Sequence, residues 1–511
     1  MSQQPTLAVV GGGAAGTSLI AAYARRLSSE IGGTAADVIV FESAQRYGPS
    51  VAYAQDADTA LLNRPYSAMS VDYGDPGQFR RWLYRRRSAA APAPTRTSLR
   101  PAPAGHFVPR NLFGNYLEDV FRQACEDLAL LGARVTLVPT AVTDIVTDGT
   151  AGRLLVTADG QRHAADVTVL AVGTLPPADV FGLRGTDGFV HQPYPLDRSL
   201  DGIGADRDVL VLGSGLTAAD VALVLAGHGH RAGITLASRS GRVPDVRTDL
   251  ASSPLPELLS DARQLLARGD VTLRGVHHIL DSALRAGGTT LAEALLPYTE
   301  DWDAPDLLRH RLADPLPGGL AQRCVGALAP YYSALWRALP ATQQRAFLRS
   351  RHRTYNCLRS PMPTTNAQKL LALGDSGQLT FRRRITAVEP APGGGFTATY
   401  ADGTTTRHDV VVNAVGRTID TSAAPPSSLV SRLVARGTVV PHPLGGVRVD
   451  PATNQVLDAG GGVREGLYVV GDLASGEHFH TSSMELVARQ ADTVAGRLVP
   501  ASDRVLAGAA Q

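Results

Sequence analysis

Two glycine-punctuated turns carry the clearest chemistry in the chain. The first, LAVVGGGAAG, runs four apolar residues into Gly11, Gly13 and Gly16 and on into a small-residue segment that begins with Ala14 and Ala15. This spacing predicts a buried strand, a tight turn and a helix. Gly11 permits the turn, Gly13 lets backbone approach a pyrophosphate, and Gly16 lets helix pack on strand. Free N–H groups at the helix start suit the phosphates. The next apolar strand, DVIVFES, ends at Glu42, whose carboxylate can take adenosine ribose hydroxyls and would repel a 2′-phosphate, so this turn reads as an FAD or NAD site. The second turn, DVLVLGSGLTAADV, has Gly213 and Gly215, then Leu216 and Thr217, with Ala218 in the third position. Its following strand, ITLASRSGR, ends in Ser238 and Arg239, with Arg242 close by. Guanidinium groups give charged, bidentate hydrogen bonds to a 2′-phosphate, so NADPH is expected here, with NADH the alternative.

An internal repeat frames both turns. Val135 to Gly173 and Leu379 to Gly416 each read as a strand, a β-meander with an ADG turn, and a buried strand running to a glycine. Val142 in the first copy, with Gly173 and Gly416 at the two strand ends, is expected at the cofactor edges. The second unit therefore interrupts the first, which resumes after Gly416. LYVVGDLASGEHFHTSSMELVARQ supplies the missing strand and ends it at Gly471–Asp472, where Asp472 can bond the ribityl chain of a flavin. Ser482 and Glu485 are spaced as a capping box for the helix that follows, whose N-terminus can face the flavin ring.

The elements that must position these groups divide the chain into five segments. Residues 1–204 and 419–511 form the FAD-binding domain, 205–247 and 376–418 the NADPH-binding domain, and 248–375 a mostly helical, substrate-shaping insertion. That insertion holds Arg345, Arg349, Arg351, His352, Arg353 and Arg359, suited to a substrate carboxylate, to NADPH phosphates or simply to solvent. A helix is expected over 75–87. Ser88 to Gly105, rich in proline and alanine, is expected as a surface excursion. Another helix is expected after it, with Phe113, Tyr116, Leu117, Val120 and Phe121 on its core face.

With 44% hydrophobic and 19% charged residues and a net charge of +2, the 511-residue chain has a globular balance. It has no field that would draw nucleic acid. Cys125, Cys324 and Cys357 are too far apart for a redox pair or a metal cluster, so no metal is expected and reduced thiols are. No stretch reads as a signal peptide or membrane span, which predicts a cytoplasmic protein and leaves a homo-oligomer open.

The stretches GGGAAG, YGPSVAYA, LLNRP with AMS, VPRNLFGNYL, LGSGLTAADVALVLAGHGH with SRSGRVP, VVNAVG and LYVVGDLASG resemble the two-dinucleotide flavoproteins of the flavin-containing and N-hydroxylating monooxygenase superfamily. Within it they are most similar to the bacterial FAD/NAD(P)-binding family that includes amino-acid N-oxygenases such as the nitrosuccinate-forming enzymes. The resemblance implies an α/β fold with two Rossmann-like dinucleotide-binding domains (three-layer ββα) and a mostly helical insertion. It also implies FAD, NADPH, and N-hydroxylation of a small amine or amino acid by O2 activated on the reduced flavin. One departure stands out, since GFVHQPYPLD keeps only His191 and Tyr194 of a linker motif found in related monooxygenases. Groups expected near the flavin are Asn63, Met69, Arg110, Glu477, His478, His480 and Thr481, with a histidine managing protons. The competing readings are an FAD-dependent NAD(P)H dehydrogenase or reductase with an organic acceptor, and a non-catalytic FAD-binding or redox-sensing protein.

Overall fold

A computed structural model describes residues 4–30, 35–44, 46–90, 107–147, 152–248, 255–416 and 418–499. Two parallel sheets are built to one plan. In the first unit, β1 (Thr6–Val10) leads through the glycine turn into α1 (Ala14–Ser29) and on to β2 (Asp37–Phe41). After α2 (Gln78–Ala90) and α3 (Arg110–Leu130) come β3 (Val135–Val138), a meander of β4 (Val142–Thr147), β5 (Arg153–Thr157) and β6 (Arg162–Ala165), and then β7 (Val167–Leu170). Both β2 and β7 flank β1 in parallel, pairing Val9 with Val40 on one side and with Val169 on the other.

The second unit repeats this plan. After β8 (Phe189–Val190) and α4 (Leu196–Leu200), β9 (Val209–Leu212) leads through the second turn into α5 (Leu216–Gly227) and β10 (Ile234–Ser238). The insertion follows, and then β11 (Leu379–Arg383) and a meander of β12 (Ile385–Pro390), β13 (Phe396–Tyr400) and β14 (Thr405–His408). β15 (Val410–Asn413) closes the unit beside β9. Each meander carries an irregularity at the same place, between Val142 and Asp144 in one and between Ile385 and Ala387 in the other. The repeat is thus one of backbone as well as of sequence. β16 (Gln455–Leu457) and β17 (Val463–Val469) complete the first sheet, in the order β16-β17-β7-β1-β2-β3, and the second runs β11-β10-β9-β15-β8. Their central strands are covered on both faces, which is why they read as unbroken apolar runs.

Between β10 and β11 the described chain is helical from Pro256 to Asp375. Its apolar faces share one core with the second unit, where Leu258, Leu308, Trp336 and Leu370 join Val209, Ala222 and Leu236. It is packed onto the nucleotide fold, not hung from it.

Three expectations change. The helix expected over 75–87 spans Gln78–Ala90, because Pro76 and Gly77 sit in a turn closed by the Gln78 N–H on the Asp75 carbonyl. The rest of the Pro/Ala stretch, 91–105, lies outside the described residues. The second sheet begins earlier than 205, since Phe189–Val190 already pairs with Val411 and Val412. Ser482 and Glu485 do not form a capping box. The final helix, Met484–Leu498, starts at Ser483 with no side-chain cap, and Glu485 turns instead toward Arg64.

Candidate functional site

The first glycine turn is a cradle that only backbone can fill. Gly11 has φ of +108°, and a Cβ there would lie 2.3 Å from the Ala171 carbonyl oxygen at the end of β7. The second turn repeats this at Gly213, φ +129°, with the Ala414 carbonyl 2.4 Å away. Gly13 and Gly215 are the N-caps of α1 and α5, neither helix has a side-chain cap, and neither has an acid in its first turn. Their first N–H groups therefore remain available to a pyrophosphate. Glu42 stands over the first turn, accepting from the Gly12 N–H at 3.0 Å and the Ala44 N–H at 2.9 Å. Across the turn, a Cβ on Gly471 would meet that of Ala15 at 3.8 Å, so the strand end that precedes Asp472 lies beside the start of α1. Thr481 Oγ1 donates to Asp472 Oδ1 at 2.7 Å and draws the loop after it to the same place. Gly173 has φ of +73°, and a Cβ there or at Gly416 would meet open space. Val142 and Met69 have buried side chains in the core, which leaves their backbones as the parts able to meet a cofactor.

The second cradle differs from expectation in its cations. Arg239 is exposed at the end of β10, and the next strand brings Arg384 beside it, with the Arg384 N–H on the Arg239 carbonyl at 3.3 Å. Arg384 has φ of +60°, and no spacing in the sequence links it to this edge because it lies far away along the chain. Arg242 turns away from this edge. It donates to the Tyr298 carbonyl at 2.9 Å and to Thr354 Oγ1 at 2.8 Å, so it clamps the strand end to the insertion instead of awaiting a phosphate. Ser238 is also spent locally, sharing a hydrogen bond with Ser214 Oγ at 2.8 Å and accepting from the Gly241 N–H at 2.9 Å. Of the insertion's arginines, Arg353 reaches the turn. It donates to Ser214 Oγ at 3.2 Å, with Nη1 3.8 Å from where a Gly215 Cβ would stand.

The two cradles are tied together by Arg110. Its Nη2 lies 2.6 Å from Asp220 Oδ2 on α5, its Nη1 donates to Tyr194 OH at 2.7 Å, and its Nε donates to the Leu61 carbonyl at 3.0 Å. Tyr194 OH in turn donates to Asp220 at 2.9 Å. Burial raises the pKa of Asp220, while Arg110 opposes the shift. Held by Asp220, Tyr194 and the Leu61 carbonyl, Arg110 is a strut between the units. Tyr194, the remnant of the linker motif, is part of that strut. His191 instead pairs with Arg184.

Of the groups expected to manage protons, the structure gathers one. His480 is buried between the rings of Tyr332 and Tyr355, 6.0 and 5.9 Å away, beside Thr481, with Nε2 3.4 Å from Ser482 Oγ. His478 is tied down on both ring nitrogens, 3.2 Å from Ser333 Oγ and 3.1 Å from Asn454 Oδ1. Burial, with help from Arg337 and Arg489, pushes its pKa down to about 4. It is a neutral anchor, not a proton carrier. Glu477, its pKa lifted by burial, lies 3.5 Å from His442 Nε2. Asn63 holds the loop by its carbonyl, which accepts from Arg247 Nη2 at 2.8 Å. Its neighbour Arg64, likewise unmarked by any spacing in the sequence, donates to Ser483 Oγ at 3.1 Å and Glu485 Oε2 at 3.3 Å, docking the loop on the final helix.

The depressed His478 pKa has a testable consequence. Between pH 6.5 and about 4 the unfolded chain binds the proton first, so stability rises with pH across that window. The expected contribution at neutral pH is about 3 kcal/mol, lost progressively on acidification. In His478→Gln the difference between denaturation midpoints at pH 7 and pH 5 should shrink. An unchanged difference would refute the assignment.

Among the described residues, no group of three or more His, Cys, Asp or Glu could hold a metal ion, and no helix is long and apolar enough to cross a membrane. Cys125, Cys324 and Cys357 are unpaired.

An FAD-NAD(P)-binding family model matches residues 8–175. No curated protein matches the chain by sequence. Among solved structures the chain is similar to the ornithine N-hydroxylase of Kutzneria sp. 744, solved with reduced FAD, NADP+ and L-ornithine. The TM-score is 0.60 at 16% identity, covering 97% of this chain and 99% of that one. L-lysine 6-monooxygenase from Pseudomonas syringae gives 0.58 at 16% identity, with 97% and 99% covered. The FAD-bound cadaverine monooxygenase of desferrioxamine biosynthesis from Erwinia amylovora gives 0.57 at 13%, with 97% and 94% covered. The chain has the fold of the two-dinucleotide-binding flavoproteins, an α/β architecture of two Rossmann-like units with a helical insertion.

Proposed function

We propose that the chain is an FAD- and NADPH-dependent monooxygenase that N-hydroxylates an amine or amino acid with O2. The observation that carries this reading is the pair of uncapped glycine cradles with opposite charges at their edges, Glu42 on one and Arg239 with Arg384 on the other. FAD would lie on Gly11–Gly16, with Glu42 at the ribose and Asp472 with Thr481 at the ribityl end. NADPH would lie on Gly213–Ala218, with Arg353 at the pyrophosphate and Arg239 and Arg384 at the 2′-phosphate. Bound there, NADPH would supply the hydride and FAD the oxygen chemistry. The chain's own part is to hold both, to exclude water with the rings of Tyr332, Tyr355 and Phe479, and to manage a proton at His480. The relatives of this fold named above, which act on ornithine, lysine and cadaverine, support an amine nitrogen as the oxidised atom.

The test uses FAD-loaded protein, NADPH and 18O2. A product one 18O heavier at nitrogen is the expected result. NADPH consumption without label in the organic product would point to a dehydrogenase or reductase, and no consumption with any amine to a non-catalytic protein. For cofactor choice, Arg239→Ala should weaken NADPH use ~10–100-fold more than NADH use, at ~1.4 kcal/mol per decade. Steady-state kinetics with both cofactors measures this, and equal losses would remove the 2′-phosphate role.

A further inference from the structure

The helical insertion encloses a cavity of about 530 Å³, within the range of small-molecule sites and far larger than a packing void. Leu280, Leu295, Leu335 and Leu358 line it together with the rings of Tyr332, Tyr355 and Phe479. The same three rings pack round His480, with centroids 6.0, 5.9 and 6.4 Å away. Phe479 holds this junction at a cost, because its φ of +65° and ψ of −65° are strained for a residue with a Cβ. The strain persists because the ring stacks on Trp336 at 4.6 Å and meets Tyr355 at 5.1 Å. The backbone is bent so that Phe479 lines the cavity while His480 packs among the three rings and Thr481, the next residue, donates to Asp472.

The charges on the walls discriminate. Among the described residues no carboxylate lines the cavity, and the arginines that do are Arg242, spent on Tyr298 and Thr354, and Arg351, whose Nη1 lies 3.2 Å from His277 Nε2. A second ammonium, such as a diamine carries, would sit among leucines and guanidiniums with nothing to pair it. A single amine nitrogen near such walls loses its proton more readily, leaving the lone pair free to attack.

We propose that the acceptor has an apolar body, aliphatic or aromatic, lodged in this cavity with its one amine nitrogen presented at the His480 end. This rests on the monooxygenase reading and narrows its substrate class. The test takes the FAD-loaded full chain through butylamine, hexylamine, octylamine and 2-phenylethylamine, with cadaverine and L-ornithine as polar comparisons. Binding is read by calorimetry and turnover by 18O2 product mass. Each buried methylene is worth up to about fourfold, so octylamine should exceed butylamine, and 2-phenylethylamine should exceed cadaverine, by at least ~10-fold in both readouts. Leu280→Trp, which fills the cavity from its wall, should weaken octylamine by at least ~10-fold while leaving the rate of flavin reduction by NADPH unchanged. Should that variant misfold, the wild-type chain-length series decides alone. A flat series, or cadaverine or ornithine preferred, overturns the inference while labelled product from any amine keeps the monooxygenase reading. Length-dependent binding with no label in the product does the reverse.

Discussion

Arg110→Ala should lower the stability of the protein by about 3–5 kcal/mol, the usual loss when one partner of a buried ion pair is removed. The reason lies in what stays behind. Asp220 is 2% exposed, and its oxygen Oδ2 is held by Arg110 and Tyr194 alone among the recorded contacts. Without Arg110 the buried carboxylate keeps the Tyr194 hydroxyl and the repulsion of Asp56, so its pKa rises further. An acid whose folded pKa lies above its unfolded one destabilises the fold as pH climbs past the unfolded value. The deficit of the variant should therefore be small in acid and grow toward neutrality. Adding Asp220→Asn should restore much of the loss, because the charge without a partner is then gone. Urea midpoints and slopes for the two single variants and the double variant measure this. A wild-type midpoint for Arg110→Ala at pH 7 would show that the strut carries nothing. Because Arg110 also holds the Leu61 carbonyl while Asp220 sits on α5, the variant should lose grip on both dinucleotides together.

This strut shows where the sequence stops being readable. The glycine turns, the buried strands and the repeated meander are patterns within a few tens of residues. Local backbone chemistry dictates them, so they could be read directly. Arg110 with Asp220 joins the two units, Arg64 with Glu485 joins distant segments of the first, and no periodicity links either pair. The insertion makes the same point. Its helical spacing was legible, but Arg351, Arg353 and Arg359 leave one short helical stretch in different directions, toward His277, Ser214 and the Tyr332 ring respectively. A helix distributes neighbours around its axis, so an arginine cluster in sequence became three separate contacts in space. Ser482 and Glu485 failed as a capping box for a related reason, since their loop is held by Thr481 on Asp472 and by Arg64 instead of by the helix it precedes.

Gly16→Ala should yield protein that no longer retains FAD, although a single methyl group is all that is added. A Cβ on Gly16 would lie 2.1 Å from the Gly11 carbonyl oxygen, and that oxygen belongs to a turn pinned in turn by Ala171. Neither neighbour is a flexible side-chain tip, so the helix start must move away from the strand. Overpacking of this kind costs about 1–3 kcal/mol. The displacement falls on the N–H groups that would meet the pyrophosphate, and each ~1.4 kcal/mol lost there is tenfold in affinity. The second unit provides the control. There the equivalent position is already Ala218, fully buried on α5, so that turn is spaced to hold a methyl group. Ala218→Gly should cost only the helix-propensity difference, about 1 kcal/mol, and leave NADPH binding nearly intact. Flavin released per chain on denaturation and NADPH affinity by titration measure the two arms. A yellow, FAD-loaded Gly16→Ala protein would mean that the first turn does not grip the dinucleotide as its close packing requires.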